Sequence, residues 1–300
     1  MKQLFYKIIY YPTINKVLRN INKVLKPLLP GKIELPPSGS ITIRNDGGKK
    51  LLMETNQTNY LTHLVFWNGY KNFEYTDIFV ELIKRINVFY DIGANIGYYS
   101  LLAAMENEQI EVVGFEPASG PLFYFRKNAQ INDFKNITIE PIALSHTEGE
   151  ITFYEIKNKK YTYLEHNLAG EGNAGSLTSG RNFVPVNTRT TTLDKYIQKN
   201  NQQTIDLIKI DTEGTEHLIL QQANHVLTSM KPIIICETLF DNIESELEAI
   251  LKSHGYEFYN HHSSIGLKKV DSIIRKEDDG VRNCFFVHPS KFHLIEDFVV

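Results

Sequence analysis

Cysteine is scarce in this 300-residue chain. The two present, Cys236 and Cys284, lie inside apolar runs (IIICETL and CFFV). Two buried thiols make neither a disulfide framework nor a metal site, and they fit a reducing, cytoplasmic setting. A basic excess is also missing: 32 Lys and Arg stand against 35 Asp and Glu. That balance argues against a duplex nucleic-acid partner. No apolar run approaches the ~20 residues that span a bilayer. The N-terminal LFYKIIYY is short, broken by Lys7 and without a small-residue cleavage site, so no secretory signal is read. No internal repeat or low-complexity tract is found. What remains is a chain of ordinary globular composition, long enough to bury a full core without staples.

Residues 1–33 depart from that balance, with seven Lys or Arg and no acid. Ile14, Val17, Leu18, Ile21, Val24, Leu25 and Leu28 recur at helical spacing, while Lys16, Arg19, Lys23 and Lys26 lie elsewhere around the wheel. Thr13 suits the helix start and Pro27 limits its end. The ordinary expectation is a helix whose apolar stripe docks on its own domain or on a second subunit. The sharper one is a peripheral contact with an anionic membrane surface, here the inner face. Pro36-Pro37-Ser38-Gly39 reads as a linker, closing an arm at 1–38. Ile41–Arg44 and Leu51–Glu54 flank Asn-Asp-Gly-Gly, a hairpin signal. With a helix predicted at about 76–86, residues 39–86 form a hairpin and helix leading into a main domain at 87–300.

From Val88 onward, apolar strands at 88–92, 111–116, 137–141, 205–210, 232–237, 255–259 and 283–288 alternate with helical stretches. Several are apolar on both faces, as in the centre of a covered sheet. The alternation predicts an α/β fold with a doubly wound sheet. ITFYEI after Gly149 reads as an additional strand. Residues 156–190 are polar, carry Gly170, Gly172, Gly175 and Gly180, and read as a long loop of the kind that forms lids. A helix is predicted over 214–228.

The stretch VFYDIGANIGYYS (88–100) is a strand, a glycine turn and a helix start. Asp91, Gly93, Asn95 and Gly97 occupy the turn. Glycines let the backbone approach a ligand, and the helix aims free N–H groups at the same point. A nicotinamide dinucleotide site requires G-x-G-x-x-G, whose middle glycine admits the pyrophosphate. Asn95 stands there instead, and Asp91 repels a pyrophosphate while suiting a cationic cofactor such as S-adenosylmethionine. Glu116, nineteen residues after Gly97, ends the second strand, where an acid can accept from both ribose hydroxyls.

DIGANIGYYS, GFEP, IALSHTEGEITFY, TTLDKYI, IDLIKIDTEGTEHLILQQA and PIIICETL, in that order over about residues 60–290, resemble the FkbM family of S-adenosylmethionine-dependent methyltransferases. The resemblance implies a class I methyltransferase, Rossmann-like fold: a seven-stranded sheet, order 3-2-1-4-5-7-6, last strand antiparallel. It implies O-methylation of sugars, lipid-linked glycans or natural-product hydroxyls. Asp91, Gly93, Asn95 and Gly97 would then line the methionine and ribose end, Glu116 the ribose, and Ala143 the adenine. Residues 1–40 lie outside it.

The ligand crevice of such a sheet lies beyond the strand ends, where strand order reverses. Asp211 and Glu213 leave strand 205–210 into it and are the candidate bases for an acceptor hydroxyl. The alternative for Glu213 and Glu216 is a favourable charge at a helix N-terminus. Lys209 shares a face with Asp211 and predicts an ion pair with Asp211 or Glu213. His166, in the long loop, is a further candidate base, with His146 behind it. Tyr161 and Tyr163 would either stack on a sugar or anchor the loop. DTEG after the fourth strand disfavours a DNA-base methyltransferase, which commonly carries Asn/Asp-Pro-Pro-Tyr there. Asp211, Glu237 and Asp241-Asn242 only imitate a metal-assisted site, and no metal is expected. The competing readings are a nicotinamide oxidoreductase and a non-catalytic, membrane-docked protein.

Overall fold

The computed structural model describes residues 2–28, 33–157, 160–168, 182–263 and 265–300. Helices α1 (Lys2–Ile9) and α2 (Pro12–Leu25) precede a hairpin, β1 (Gly39–Arg44) and β2 (Lys50–Thr55). Helices α3 (Tyr60–Asn68) and α4 (Thr76–Ile83) lead to β3 (Val88–Ile92), α5 (Tyr98–Glu106), β4 (Glu111–Phe115), α6 (Ser119–Ile131) and β5 (Ile137–Glu140). Then come β6 (Ala143–Leu144), β7 (Gly149–Lys157), β8 (Asn182–Thr191), α7 (Leu193–Asn200), β9 (Leu207–Ile210) and α8 (Glu216–Leu220). The chain ends with β10 (Ile233–Glu237), α9 (Glu244–Ser253), β11 (Glu257–His262), β12 (Gly266–Val270) and β13 (Asn283–Val287).

The main sheet runs β12-β11-β13-β10-β9-β3-β4-β5. β10, β9, β3, β4 and β5 are parallel, and β13 is antiparallel to both neighbours. Without β12 this is the 3-2-1-4-5-7-6 order that the resemblance implies. Every residue of β3, β9 and β13 is buried, because helices cover both faces. Side chains alternate between two cores: Val88, Tyr90 and Ile92 enter one, and Phe89 the other.

Three elements differ from expectation. The sheet has eight strands, because Gly266–Val270 (GLKKV) folds back antiparallel on β11. Its two lysines mark an edge strand rather than a core run. The 156–190 interval is not all loop: β8 pairs along the whole of β7, from Gly149↔Thr190 to Lys157↔Asn182, and touches β6 at Thr190 and Thr191 only. At Pro185 β8 has one neighbour, the position a strand proline tolerates. The four loop glycines lie outside the described residues. The 214–228 helix is broken. Asp194 accepts from the backbone N–H groups of His225 (2.8 Å) and Val226 (3.2 Å), starting a separate turn at Val226–Met230.

The arm is helical, as two helices, but α2 is inverted relative to its pattern. Its buried residues are Asn15 and Arg19, and its apolar stripe faces out. The Arg19 guanidinium, 2% exposed, donates to Asn15 Oδ1 (3.0 Å), to the Ser38 carbonyl (3.0 Å) and to the Ser40 carbonyl. Asn15 donates to the Ile9 and Pro36 carbonyls and accepts from the Ser38 N–H. Asn22 donates to the Ile33 carbonyl and accepts from the Leu35 N–H. The polar stripe satisfies backbone groups of the linker that no sheet pairs. No described helix is long and apolar enough to cross a membrane.

Candidate active site at the switch point

Between β3 and β9 the strand order reverses, and the turn after β3 is built around three backbone constraints. Gly93 (φ 75°) presses against β9: a Cβ there would lie 1.9 Å from the Asp211 carbonyl oxygen. Gly97 (φ 85°) lies against the Phe125 ring, 2.1 Å from a Cβ. Asn95 adopts φ 51°, which asparagine tolerates better than most residues. Its Oδ1 accepts from the Ile96 N–H at 2.8 Å. Both glycines are thus dictated by packing, before any ligand is considered.

Asp91 is 1% exposed and does not reach the crevice wall. One carboxylate oxygen accepts from the Ser100 N–H (3.1 Å) and hydroxyl (2.7 Å), capping the first turn of α5 from the side. The other lies 3.6 Å from Lys209 Nζ. Lys209 also lies 3.4 Å from Asp211 and donates to the Gly93 carbonyl at 3.0 Å. Burial alone would lower the lysine, but Asp211, Asp91 and Glu74 outweigh it and hold it above its ordinary value. The sequence-predicted pairing with Asp211 is present, with Asp91 rather than Glu213 as the second partner.

Glu116, 5% exposed, divides its carboxylate between two backbone donors: Asn95 N–H at 2.7 Å and Ala118 N–H at 2.8 Å. Each oxygen keeps a lone pair for a further donor. Burial pushes this carboxyl up to about 7 against the pull of those N–H groups. Glu116 therefore fixes the turn after β3 and presents acceptor capacity to the crevice.

The crevice spans about 930 Å³ when the open solvent at its mouth is counted. The turn contributes Gly93 and Asn95 to its wall, and β4 contributes Phe115, Glu116 and Pro117. Ile142 to Ser145 with Ile151 form another side, and Asp211, Thr212, Glu213 and Thr215 close it. The structure thus brings together Gly93, Asn95, Glu116, Ala143, Asp211 and Glu213. It does not bring Asp91, Gly97 or His166 to the wall. His166 stacks on Phe123 of α6, centroids 4.2 Å apart, and its carbonyl accepts from Asn56. Tyr161 meets Tyr6 and Tyr10 of the arm edge-on, and the Tyr163 hydroxyl accepts from Gln57; both rings anchor the 160–168 segment.

The far side of the crevice is acidic. Glu216, buried, gathers Thr212 N–H (2.7 Å), Thr212 Oγ1 (3.1 Å) and Gly214 N–H (3.2 Å), and so shapes the DTEG loop. Burial, then the charges of Asp211 and Glu216, raise Glu213. Burial pushes Glu237 up to about 8, with Asp211, Glu213 and Glu216 adding. Glu74 is pushed to about 7 by burial of its carboxyl end and by Asp211, and accepts from the Tyr99 hydroxyl at 3.0 Å. Glu74 as a whole residue is exposed; only the carboxyl end is enclosed. Sequence reasoning missed Glu74. Its only signal is an acid before α4, held at φ 46°. Among the described residues no set of three His, Cys, Asp or Glu is placed to hold a metal ion.

A parallel sheet that reverses at β3/β9, a reversed β13 and an acid closing the second strand define a class I, Rossmann-like methyltransferase architecture. The methyltransferase FkbM domain matches residues 91–258, more than half of the chain, which therefore belongs to the FkbM methyltransferase family. Two curated relatives are similar. The 31-O-demethyl-FK506 methyltransferase FkbM of Streptomyces tacrolimicus is 25% identical over 63% of this chain and 82% of its own. Methyltransferase sdnD of Sordaria araneosa is 27% identical over 56% and 72%. Among solved structures, methyltransferase FkbM from Methylobacillus flagellatus is 12% identical, covering 94% of this chain and 61% of its own, with a TM-score of 0.44.

Proposed function

We propose that this methyltransferase uses S-adenosylmethionine to methylate a hydroxyl of a sugar, glycan or natural product. The observation that carries the reading is Glu116, a buried carboxylate on the crevice wall, fixed by two N–H groups and keeping lone pairs for a further donor. The residues fit the cofactor: Glu116 would hold the ribose, Ala143 would flank the adenine, and the acidic wall would favour the sulfonium and ammonium charges. The same residues oppose a nicotinamide dinucleotide. The Asn95 N–H is committed to Glu116, and carboxylates repel a pyrophosphate. The Streptomyces relative, named for 31-O-demethyl-FK506, supports an oxygen acceptor.

When bound, the cofactor supplies an already activated methyl group, so the protein chiefly aligns the acceptor oxygen. Good alignment is worth about 7–11 kcal/mol. Glu213, on the crevice wall, would take the proton of the acceptor hydroxyl. Asp211, tied to Lys209, orients the hydroxyl. The buried reduced thiols Cys236 and Cys284 fit a cytoplasmic enzyme.

The test is titration calorimetry with S-adenosylhomocysteine and with NADH. Micromolar binding of the first alone is expected. Labelled methyl transfer to a hydroxyl-bearing acceptor library, with the product bond assigned by NMR, then checks the oxygen. Binding of NADH alone would overturn the cofactor reading.

A further inference from the structure

We infer that α1, α2 and the turn that follows form a docking face for an anionic bilayer. The carrying observation is the inversion of α2. A helix normally buries its apolar stripe against the core. Here Asn15 and Arg19 are buried, while Val17, Ile21, Val24 and Leu28 face out, Val24 and Leu28 being 77% and 80% exposed. In α1, Phe5 and Ile8 are exposed as well. Arg19 donates to Asn15, and between them Asn15, Arg19 and Asn22 hydrogen-bond the end of α1, the linker and β1, so rolling the helix to bury its apolar stripe would strip the Arg19 guanidinium of its acceptors.

Charge selects the occupant. Residues 1–33 hold seven Lys or Arg and no acid. Of these, Arg19 is buried, and Lys26 is paired with Glu34. Lys2, Lys7, Lys16 and Lys23 are exposed. An apolar face rimmed by lysines and free of acids suits the boundary of an anionic membrane, where lysine stems reach the headgroups. Each basic residue there adds attraction to the anionic headgroups. A second copy fits worse: it would meet these lysines with more lysines and no acid.

The arm also contacts the segment that leads out of β7. Gln3 donates to the Lys160 carbonyl at 3.0 Å, and Tyr6 and Tyr10 pack on Tyr161. Docking would therefore hold that segment beside the membrane.

The experiment is co-sedimentation of the full chain with vesicles of phosphatidylcholine alone or with phosphatidylserine, at low and high salt. Binding to the anionic vesicles at low salt, weakened by salt, is expected. Ile21→Glu with Val24→Glu, whose side chains face solvent, should keep the circular dichroism spectrum and lower binding roughly tenfold or more. Lys7→Gln with Lys16→Gln should lower binding to the anionic vesicles only. No binding to anionic vesicles at low salt would overturn the inference, as would binding indifferent to both pairs of substitutions. A dimer in sedimentation equilibrium that Ile21→Glu/Val24→Glu dissolves, without vesicle binding, would assign the face to a second copy instead.

Discussion

Gly93 and the Asp211 carbonyl oxygen compete for one place: a Cβ on residue 93 would lie 1.9 Å from that oxygen. The contact joins the turn after β3 to the loop after β9, so both sides of the crevice depend on a missing side chain. Gly93→Ala must displace Asp211, and its φ of 75° adds strain. A loss of about 1–3 kcal/mol of stability is expected, with methyl transfer lost in excess of the unfolded fraction. Urea denaturation alongside turnover checks it.

Glu116→Gln replaces one acceptor oxygen with a donor, leaving either the Asn95 or the Ala118 N–H facing an N–H. S-adenosylhomocysteine affinity should fall by roughly tenfold to a hundredfold, the equivalent of about 1.5–3 kcal/mol for a charged hydrogen bond. Calorimetry measures it directly. Unchanged affinity would remove Glu116 from the ligand contacts.

Lys209→Met keeps the volume but removes the cation between Asp91 and Asp211. Breaking a buried pair from one side costs about 3–5 kcal/mol. The midpoint of urea unfolding should drop accordingly, and Asp91→Asn in the same background should recover part of the loss.

Glu213→Gln is expected to slow turnover by about 10²- to 10⁴-fold, the usual worth of a positioned base, with S-adenosylhomocysteine affinity little changed. Asp211→Asn should slow turnover too, and also reduce stability through its Lys209 pair. If Glu213→Gln turns over normally while Asp211→Asn does not, the proton goes to Asp211.

Glu237 gives a pH signature. Its folded value of about 8 lies above the unfolded 4.5, so the native state holds the extra proton between those values. Stability from this group is therefore present below about pH 4.5 and is lost as pH rises to about 8. His261 and His288, lowered by burial, act oppositely up to about pH 6.5. The test is thus a difference: wild type should lose stability relative to Glu237→Gln as pH rises from 6.5 to 8. Parallel melting curves over that span would contradict the shift.

The main sheet was legible because its strands are short runs apolar on both faces that alternate with helical stretches. The crevice was legible where chain position decides it, at Gly93, Asn95, Glu116, Asp211 and Glu213, while Ala143 came only from the family resemblance. Asp91 lies off the crevice wall because an acid before a helix serves equally to cap it, and here its carboxylate accepts from the Ser100 N–H and hydroxyl. His166 lies away from the crevice wall, since a loop's direction is not written in its composition; its ring stacks on Phe123. β8 was hidden by Pro185 and a run of threonines, and β12 by its lysines. Periodicity found α2 but could not say which stripe meets the protein. That depended on Asn15, Arg19 and Asn22 finding linker carbonyls and N–H groups.

β6 is two residues long, yet it belongs to two structures at once. Ala143 and Leu144 line the crevice, and among the described residues the same two make the strand pairing between β8 and the stretch leaving β5. The three-stranded sheet is separate from the eight-stranded one and is held to the rest of the domain at Glu155 of β7 as well, which accepts from the Ser119 N–H and hydroxyl of α6. Lengthening or rebuilding 149–191 would reshape one wall of the crevice while leaving the order and spacing of the central strands as they are. Divergence in what is methylated can accumulate there without re-solving the problem of folding.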